Sequence, residues 1–193
     1  TKRIGSVVAR RLADEGVKLA IVYRSSKEEA EELKSAVESK VEKVSLIQGD
    51  VANEDDVQRM VKSATERLGD LSFVVNLASG FPRTPFDELN AEAWDRSLSF
   101  AKGSYLLAVN AARQMMTNDG PTRGHIVMFG DWAADETPYR DYLPYLTAKA
   151  AVQFMTRAFA VELASHGILV NAIAPGPTMR SPDIDEQAWQ DGV

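Results

Sequence analysis

Short β-rich runs alternate with longer helical patterns along nearly the whole chain, and few architectures accommodate that order. Apolar runs at 18–23, 43–48, 71–75, 124–129 and 167–174 have the length and composition of strands. Between them, residues 6–13, 27–40, 54–68, 94–116 and 142–163 read as helices. Gly16 stops the first helix, Ser26 is placed to cap the second and Gly103 marks a bend in the fourth. A strand that returns to its sheet through a helix must run parallel to its predecessor, and its helices then cover both sheet faces. The expected fold is a doubly wound α/β domain with a mostly parallel sheet. At 193 residues, one domain with a sizeable core is expected.

Composition narrows the chemistry. A net charge of -6 argues against a nucleic-acid surface, because phosphate binding wants a basic face. With no cysteine there is no disulfide and no thiolate metal site, which fits a cytoplasmic protein. His125 and His166 are isolated and read as a strand residue and a helix-end residue, so no metal is expected. No apolar run reaches the ~20 residues of a membrane span, and no signal peptide is visible.

Chemistry concentrates in the last long helix. Tyr145 and Lys149 stand four residues apart, so phenol and ammonium project from one face. A nearby cation favours phenolate, which would make a proton donor for reducing a carbonyl or imine. The spacing alone also fits a half-buried aromatic beside a solvated lysine. Asp131 follows the 124–129 run and could equally cap a turn in the charged, proline-bearing loop 131–141. Arg24 and Ser25, after the 18–23 run, suit either a phosphate or a solvated loop feeding the next helix. Phe81 lies in a proline-punctuated loop, where it could pack beneath the loop or face a ligand.

The order of strand 124–129, Tyr145-x-x-x-Lys149 helix, strand and Pro175-Gly176 turn resembles the short-chain dehydrogenase/reductase family, from residue 1 to about residue 181. The resemblance implies a single Rossmann-type dinucleotide-binding domain over 1–193, lacking the family's first strand and its closing C-terminal segment. It implies Tyr145 as the acid, with Lys149 lowering its pKa and binding the nicotinamide ribose. Arg3, Ile4 and Gly5 fall where a helix start faces the pyrophosphate. Arg24 and Ser25 fall where the extra phosphate of NADP(H) sits, and Asp50 and Val51 beside adenine, though Asp50 could instead cap a helix. Asn76, Ala78 and Ser79 would line the cofactor, and Pro175, Gly176 and Thr178 the nicotinamide amide. The acidic stretch after residue 181 would begin a substrate-side lid. Two departures stand out: Phe100 replaces the asparagine of the family's proton relay, with Asn110 too far along to substitute, and Asp131 replaces a serine, one residue further from the tyrosine than usual.

Several departures occur together in pteridine reductases, which resemble this chain at Lys2-Arg3-Ile4-Gly5, at Asn76 with Ser79-Gly80-Phe81, and at Asp131 with Tyr145 and Lys149. That branch implies an NADPH-dependent reductase of a small molecule, a pterin, with Phe81 stacking on it and Asp131 and Tyr145 contacting it. A ketoacyl-thioester or sugar-type reductase, or a non-catalytic nucleotide-binding module, are the alternatives. The family commonly forms tetramers through helices 94–116 and 142–163, so a homotetramer is expected.

Overall fold

In the computed structural model residues 2–180 and 186–190 are described. Helix α1 (Arg3–Asp14) leads to strand β1 (Leu19–Tyr23), and α2 (Lys27–Val37) to β2 (Val44–Gln48). Then α3 (Glu54–Leu68), β3 (Phe73–Asn76), α4 (Ala91–Met115), β4 (Gly124–Phe129), α5 (Leu143–Leu163), β5 (Ile168–Ile173) and the short α6 (Glu186–Gln190) follow. Every strand pairing is parallel, as the alternation requires.

The single sheet expected from sequence is here two pieces: β1 pairs with β2, and β3, β4 and β5 pair in that order. Among the described residues no ladder joins β1 to β3. Alternation of period fixes strand direction but not which strands become neighbours, so this division was not legible in the pattern. Register places Tyr23 beside Gln48, Asn76 beside Met128 and Phe129 beside Ile173. The carboxyl ends within each piece therefore open onto a common edge.

Two apolar clusters hold the pieces. Ala13, Leu19, Ile21, Leu33 and Val37 bury α1 and α2 against β1. Ile126 and Met128 of β4, Ile168 and Val170 of β5, and Ala111, Met115, Ala148 and Val152 of α4 and α5 form the larger core. Ile47 of β2, Val57 and Met60 of α3 and Leu106 of α4 make a third cluster that ties the two pieces together. At about 1.5–3 kcal/mol for each large side chain fully buried, this packing rather than local propensity holds the helices in place.

Element boundaries differ where a cap was overlooked. Helix α4 starts at Ala91 rather than residue 94 because Asn90 caps it, Oδ1 accepting from the Ala93 N–H at 2.9 Å. Helix α2 ends at Val37, short of residue 40, where Lys40 turns aside to pair with Asp14 at 2.6 Å. Helix α4 runs unbroken through Gly103. A Cβ there would stand 2.7 Å from Val51 Cγ2, so Gly103 permits a close approach. Helix α5 passes into a 3-10 turn, Ala164–His166, and ends on Gly167 in the left-handed region at φ 69°. His125 stacks on Phe73, with ring centroids 4.8 Å apart. Among the described residues no helix is long and apolar enough to cross a membrane, and no group of three His, Asp or Glu side chains is placed to hold a metal ion.

Candidate active site

Strand β4 delivers the chain to Asp131, and α5 packs across that exit. Tyr145, Lys149 and Gln153 follow one another at helical spacing on the buried face of α5. The Tyr145 hydroxyl donates to Asp131 Oδ2 at 2.6 Å, within the buried interior. The other carboxylate oxygen of Asp131 accepts from the Ala133 N–H at 3.0 Å and caps a 3-10 turn, Trp132–Ala134. Turn cap and tyrosine partner, which looked like alternatives in the sequence, are two oxygens of one side chain.

Phenol and ammonium share the buried face of α5, and each has its own hydrogen-bond partner. Lys149 Nζ donates to the Phe129 carbonyl at 2.8 Å and lies over the Tyr145 ring, 5.8 Å from its centre. Burial pushes the Tyr145 phenol well above its ordinary range, and the Asp131 carboxylate pushes it further in the same direction. Lys149 is lowered to about 8, chiefly by burial, with the Asp131 charge partly restoring it. Burial and the Asp131 carboxylate thus act against the expected depression of Tyr145 by Lys149 and favour the protonated phenol.

A wall of rings stands next to this pair. Phe81 stacks on Tyr142, with centroids 4.3 Å apart and planes 23° apart, and meets the Tyr145 ring edge-on at 4.9 Å. Tyr139 packs edge-on against Phe81 and Tyr142, and its hydroxyl accepts from Trp132 Nε1 at 2.6 Å. Loop and helix entrance are tied together where Arg83 pairs with Asp141 at 2.5 Å and the Thr84 N–H donates to the Asp141 carbonyl at 2.6 Å. Phe81 thus does pack within its loop cluster, against the tyrosines rather than beneath the loop.

The residues expected around the cofactor share the carboxyl edge but differ in what they offer. Arg24 at the end of β1 is exposed and makes a 3.6 Å ion pair with Asp50, and Ser25 follows it. Asp50 is not the cap of α3, a place taken by Asn53; its carboxylate closes its own turn onto the Ala52 N–H at 2.9 Å. Val51 packs against Gly103. The Asn76 amide is spent internally, donating to Ser104 Oγ at 2.8 Å and accepting from the Ala78 N–H at 3.1 Å, so it shapes the turn rather than facing outward. Ser79 Oγ donates to the Gly80 carbonyl at 3.0 Å.

The two chain ends of the site meet. Ile4 and Gly5 lie in the first turn of α1, with Gly5 near Leu77 of the turn after β3. Arg3 donates to the carbonyls of Met179 and Arg180, at 2.9 and 3.2 Å. The Pro175 carbonyl accepts from the Trp132 N–H at 3.3 Å, Gly176 lies beside the Trp132 ring, and the Thr178 N–H donates to the Gly176 carbonyl at 2.7 Å. Phe100, at the relay position, packs against Gly80 so closely that a Cβ there would stand 2.8 Å from the ring. Asn110 donates to Leu106 within its own helix. Of the expected lid stretch 181–186, residues 181–185 lie outside the described residues and Glu186 opens α6. Gln153 was not among the expected site residues, although a polar side chain one turn beyond Lys149 in an apolar run was a readable signal.

A family model described as enoyl-(acyl carrier protein) reductase matches residues 1–187. A solved short-chain dehydrogenase/reductase variant from Serratia marcescens superposes with a TM-score of 0.86 at 33% identity, covering 97% of this chain and 76% of that one. The chain belongs to the short-chain dehydrogenase/reductase family. It is an oxidoreductase of that family, whose members use nicotinamide cofactors. Glucose 1-dehydrogenase 2 of Bacillus subtilis is 28% identical over 188 residues, 96% of this chain and 71% of its own length. A hydroxynaphthalene reductase-like protein of Metarhizium brunneum is 29% identical over 187 residues, 96% of this chain and 68% of its own length.

The donor set suits such a cofactor. An ammonium carries three donors, and among the described residues the buried Lys149 spends one, on Phe129. Two remain for sugar hydroxyls. The Arg24–Asp50 pair is exposed and long, an interaction worth about 0–1 kcal/mol, so the guanidinium can readily exchange the carboxylate for another anion.

Proposed function

We propose that this chain is a single dinucleotide-binding domain of a cytoplasmic, NADPH-dependent reductase that delivers hydride to a C=N or C=O bond of a flat, conjugated small molecule, with a pterin as the leading substrate. The observation that carries the reading is the buried Tyr145–Asp131 hydrogen bond set against the Phe81–Tyr142 ring wall. When bound, the cofactor supplies the hydride; the protein's part is to orient it and to manage the proton. In this reading Arg24 and Ser25 hold the extra phosphate, and Arg3 and Ile4 serve the pyrophosphate end. Asp50, Val51, Ala78 and Ser79 flank the nucleotide, with Asn76 shaping their turn. Lys149 gives its remaining donors to the ribose, and Pro175, Gly176 and Thr178 serve the nicotinamide amide.

The electrostatics keep Tyr145 in the protonated form from which reduction starts. Oxidising an alcohol needs phenolate as the base, and burial beside a carboxylate opposes phenolate. Reduction needs the protonated phenol, which this setting maintains. Donation leaves phenolate beside Asp131, a cost that the Lys149 ammonium over the ring partly offsets. Asp131 also places a negative charge close to the reacting proton, where it favours a ring nitrogen that has become a positively charged N–H more than a neutral hydroxyl would. The ring wall suits a planar substrate. Trp94, Tyr105, Phe154 and Val161 leave apolar surface exposed on α4 and α5, which supports a homotetramer assembled through these helices.

The test is NADPH oxidation with dihydropterin, dihydrofolate, a ketoacyl thioester and a sugar lactone side by side, for the wild type and Tyr145→Phe. Turnover of a pterin, lost in the variant, is expected. Turnover of the thioester or lactone with none of either pterin would rule out the pterin reading. NADPH binding without turnover of any substrate would favour the non-catalytic module.

A further inference from the structure

We propose that Gln153 is a positioning residue that fixes the Asp131 carboxylate against the Tyr145 hydroxyl. The inference rests on reading Asp131 and Tyr145 as the proton-bearing pair and adds the part that holds them together. Gln153 is buried. Its Nε2 donates to the Asp131 carbonyl at 3.2 Å and to Asp135 Oδ2 at 2.8 Å. Those acceptors stand at the two ends of the 131–135 turn, so one amide group clasps the whole turn to the catalytic helix.

Two observations show that the contact is specific. The backbone of Gly130 lies so near the glutamine stem that a Cβ would stand 2.7 Å from its Cγ and 3.0 Å from its Cδ. Only a residue without a side chain lets the strand exit approach so closely. Gln153 Oε1, meanwhile, is buried with no hydrogen-bond partner among the described residues. An unpaired buried amide oxygen is costly, and a methionine or leucine of similar volume would fill the space without that cost. The two N–H donors are what the site obtains from glutamine. Three ties on one helix face then fix the loop after β4: Tyr145 to the Asp131 side chain, Lys149 to the Phe129 carbonyl, and Gln153 to the Asp131 carbonyl and Asp135.

The test uses Gln153→Met, which keeps volume and deletes both donors, in the full chain labelled with ring-13C tyrosine. The Tyr145 resonance is identified by its loss in Tyr145→Phe and followed with pH by NMR. The ionisable groups facing Tyr145 are Asp131 from the loop after β4, Tyr139 and Tyr142 from the segment before α5, and Lys149 from α5 itself. Once the carboxylate is released from its place, the Tyr145 resonance is expected to begin titrating at lower pH than in the wild type. Adding Gln153→Met to Asp131→Asn should produce no further shift. The turnover number for reduction should fall about tenfold or more, with the KM for NADPH unchanged. An unmoved titration in a folded Gln153→Met protein, or shifts that add in the double variant, would overturn the assignment. If the methionine variant does not fold, Gln153→Leu carries the same expectation and the same refutation. The titration does not depend on turnover, so it decides the role of Gln153 even if the reductase reading fails.

Discussion

Replacing Asp131 by Asn keeps the shape of the side chain and removes its charge from beside the Tyr145 hydroxyl. The hydrogen bond is 2.6 Å long and both residues are at most 9% exposed, so solvent screens the pair little. A hydrogen bond to a charged group is worth about 1.5–3 kcal/mol against about 0.5–1.5 kcal/mol for a neutral one. The difference, about 1–2 kcal/mol, corresponds to roughly one pKa unit at 1.36 kcal/mol per unit. A bare Coulomb estimate for phenolate and carboxylate at that separation gives roughly 6 kcal/mol at an effective dielectric of 20, an upper bound. Tyr145 should therefore lose its proton about one unit lower in Asp131→Asn, yet stay above its ordinary range, because burial, the larger cause, remains. Loss of the carboxylate also lowers Lys149 further below its value of about 8, since Asp131 favours the ammonium. A pH–rate profile would mix the two events, so the assay is the ring-carbon NMR titration of Tyr145. A Tyr145 titration that stays in place or moves upward in the folded variant would refute the argument that Asp131 keeps the phenol protonated.

Three further outcomes follow from the same geometry. The buried Lys149 ammonium burdens the fold below pH 8, and the burden lifts as pH rises from about 8 towards the ordinary 10.5. Lys149→Met removes a cost on the order of 3 kcal/mol, from about 2.5 units at 1.36 kcal/mol each, against about 1–3 kcal/mol for leaving the Phe129 carbonyl unpaired. Its Tm relative to the wild type should fall steadily between pH 8 and 10.5 while activity is lost throughout; a constant difference in thermal melts would contradict the burial argument. Gly167→Ala adds a Cβ at φ 69° that drives into the Pro121 carbonyl, and should destabilise by about 2 kcal/mol or more in urea unfolding. Arg24→Asp should raise the KM for NADPH about tenfold without raising that for NADH, since a charge-assisted phosphate contact is worth about 1.5–3 kcal/mol; equal effects on both would remove Arg24 from the phosphate site.

By itself the sequence determined the class of the fold and the oxidoreductase family. Periods of two and 3.6 are properties of the local backbone, so alternating strands and helices, and hence parallel pairing, were readable without any tertiary information. The same helical period put Tyr145 and Lys149 on one face, and the same arithmetic carried one turn further would have added Gln153. Tertiary structure alone decided how those groups meet. Which strands become neighbours depends on long-range pairing, so the division between β1–β2 and β3–β5 carried no local signal. Spacing cannot say how deeply a helix face is buried, and that depth sent the Lys149 ammonium to the Phe129 carbonyl and left the Tyr145 hydroxyl to Asp131. The phenol's pKa is pushed upward for that reason. A lysine one turn away was visible in the sequence, whereas desolvation and a carboxylate brought in from the loop after β4 exist only once the chain has packed.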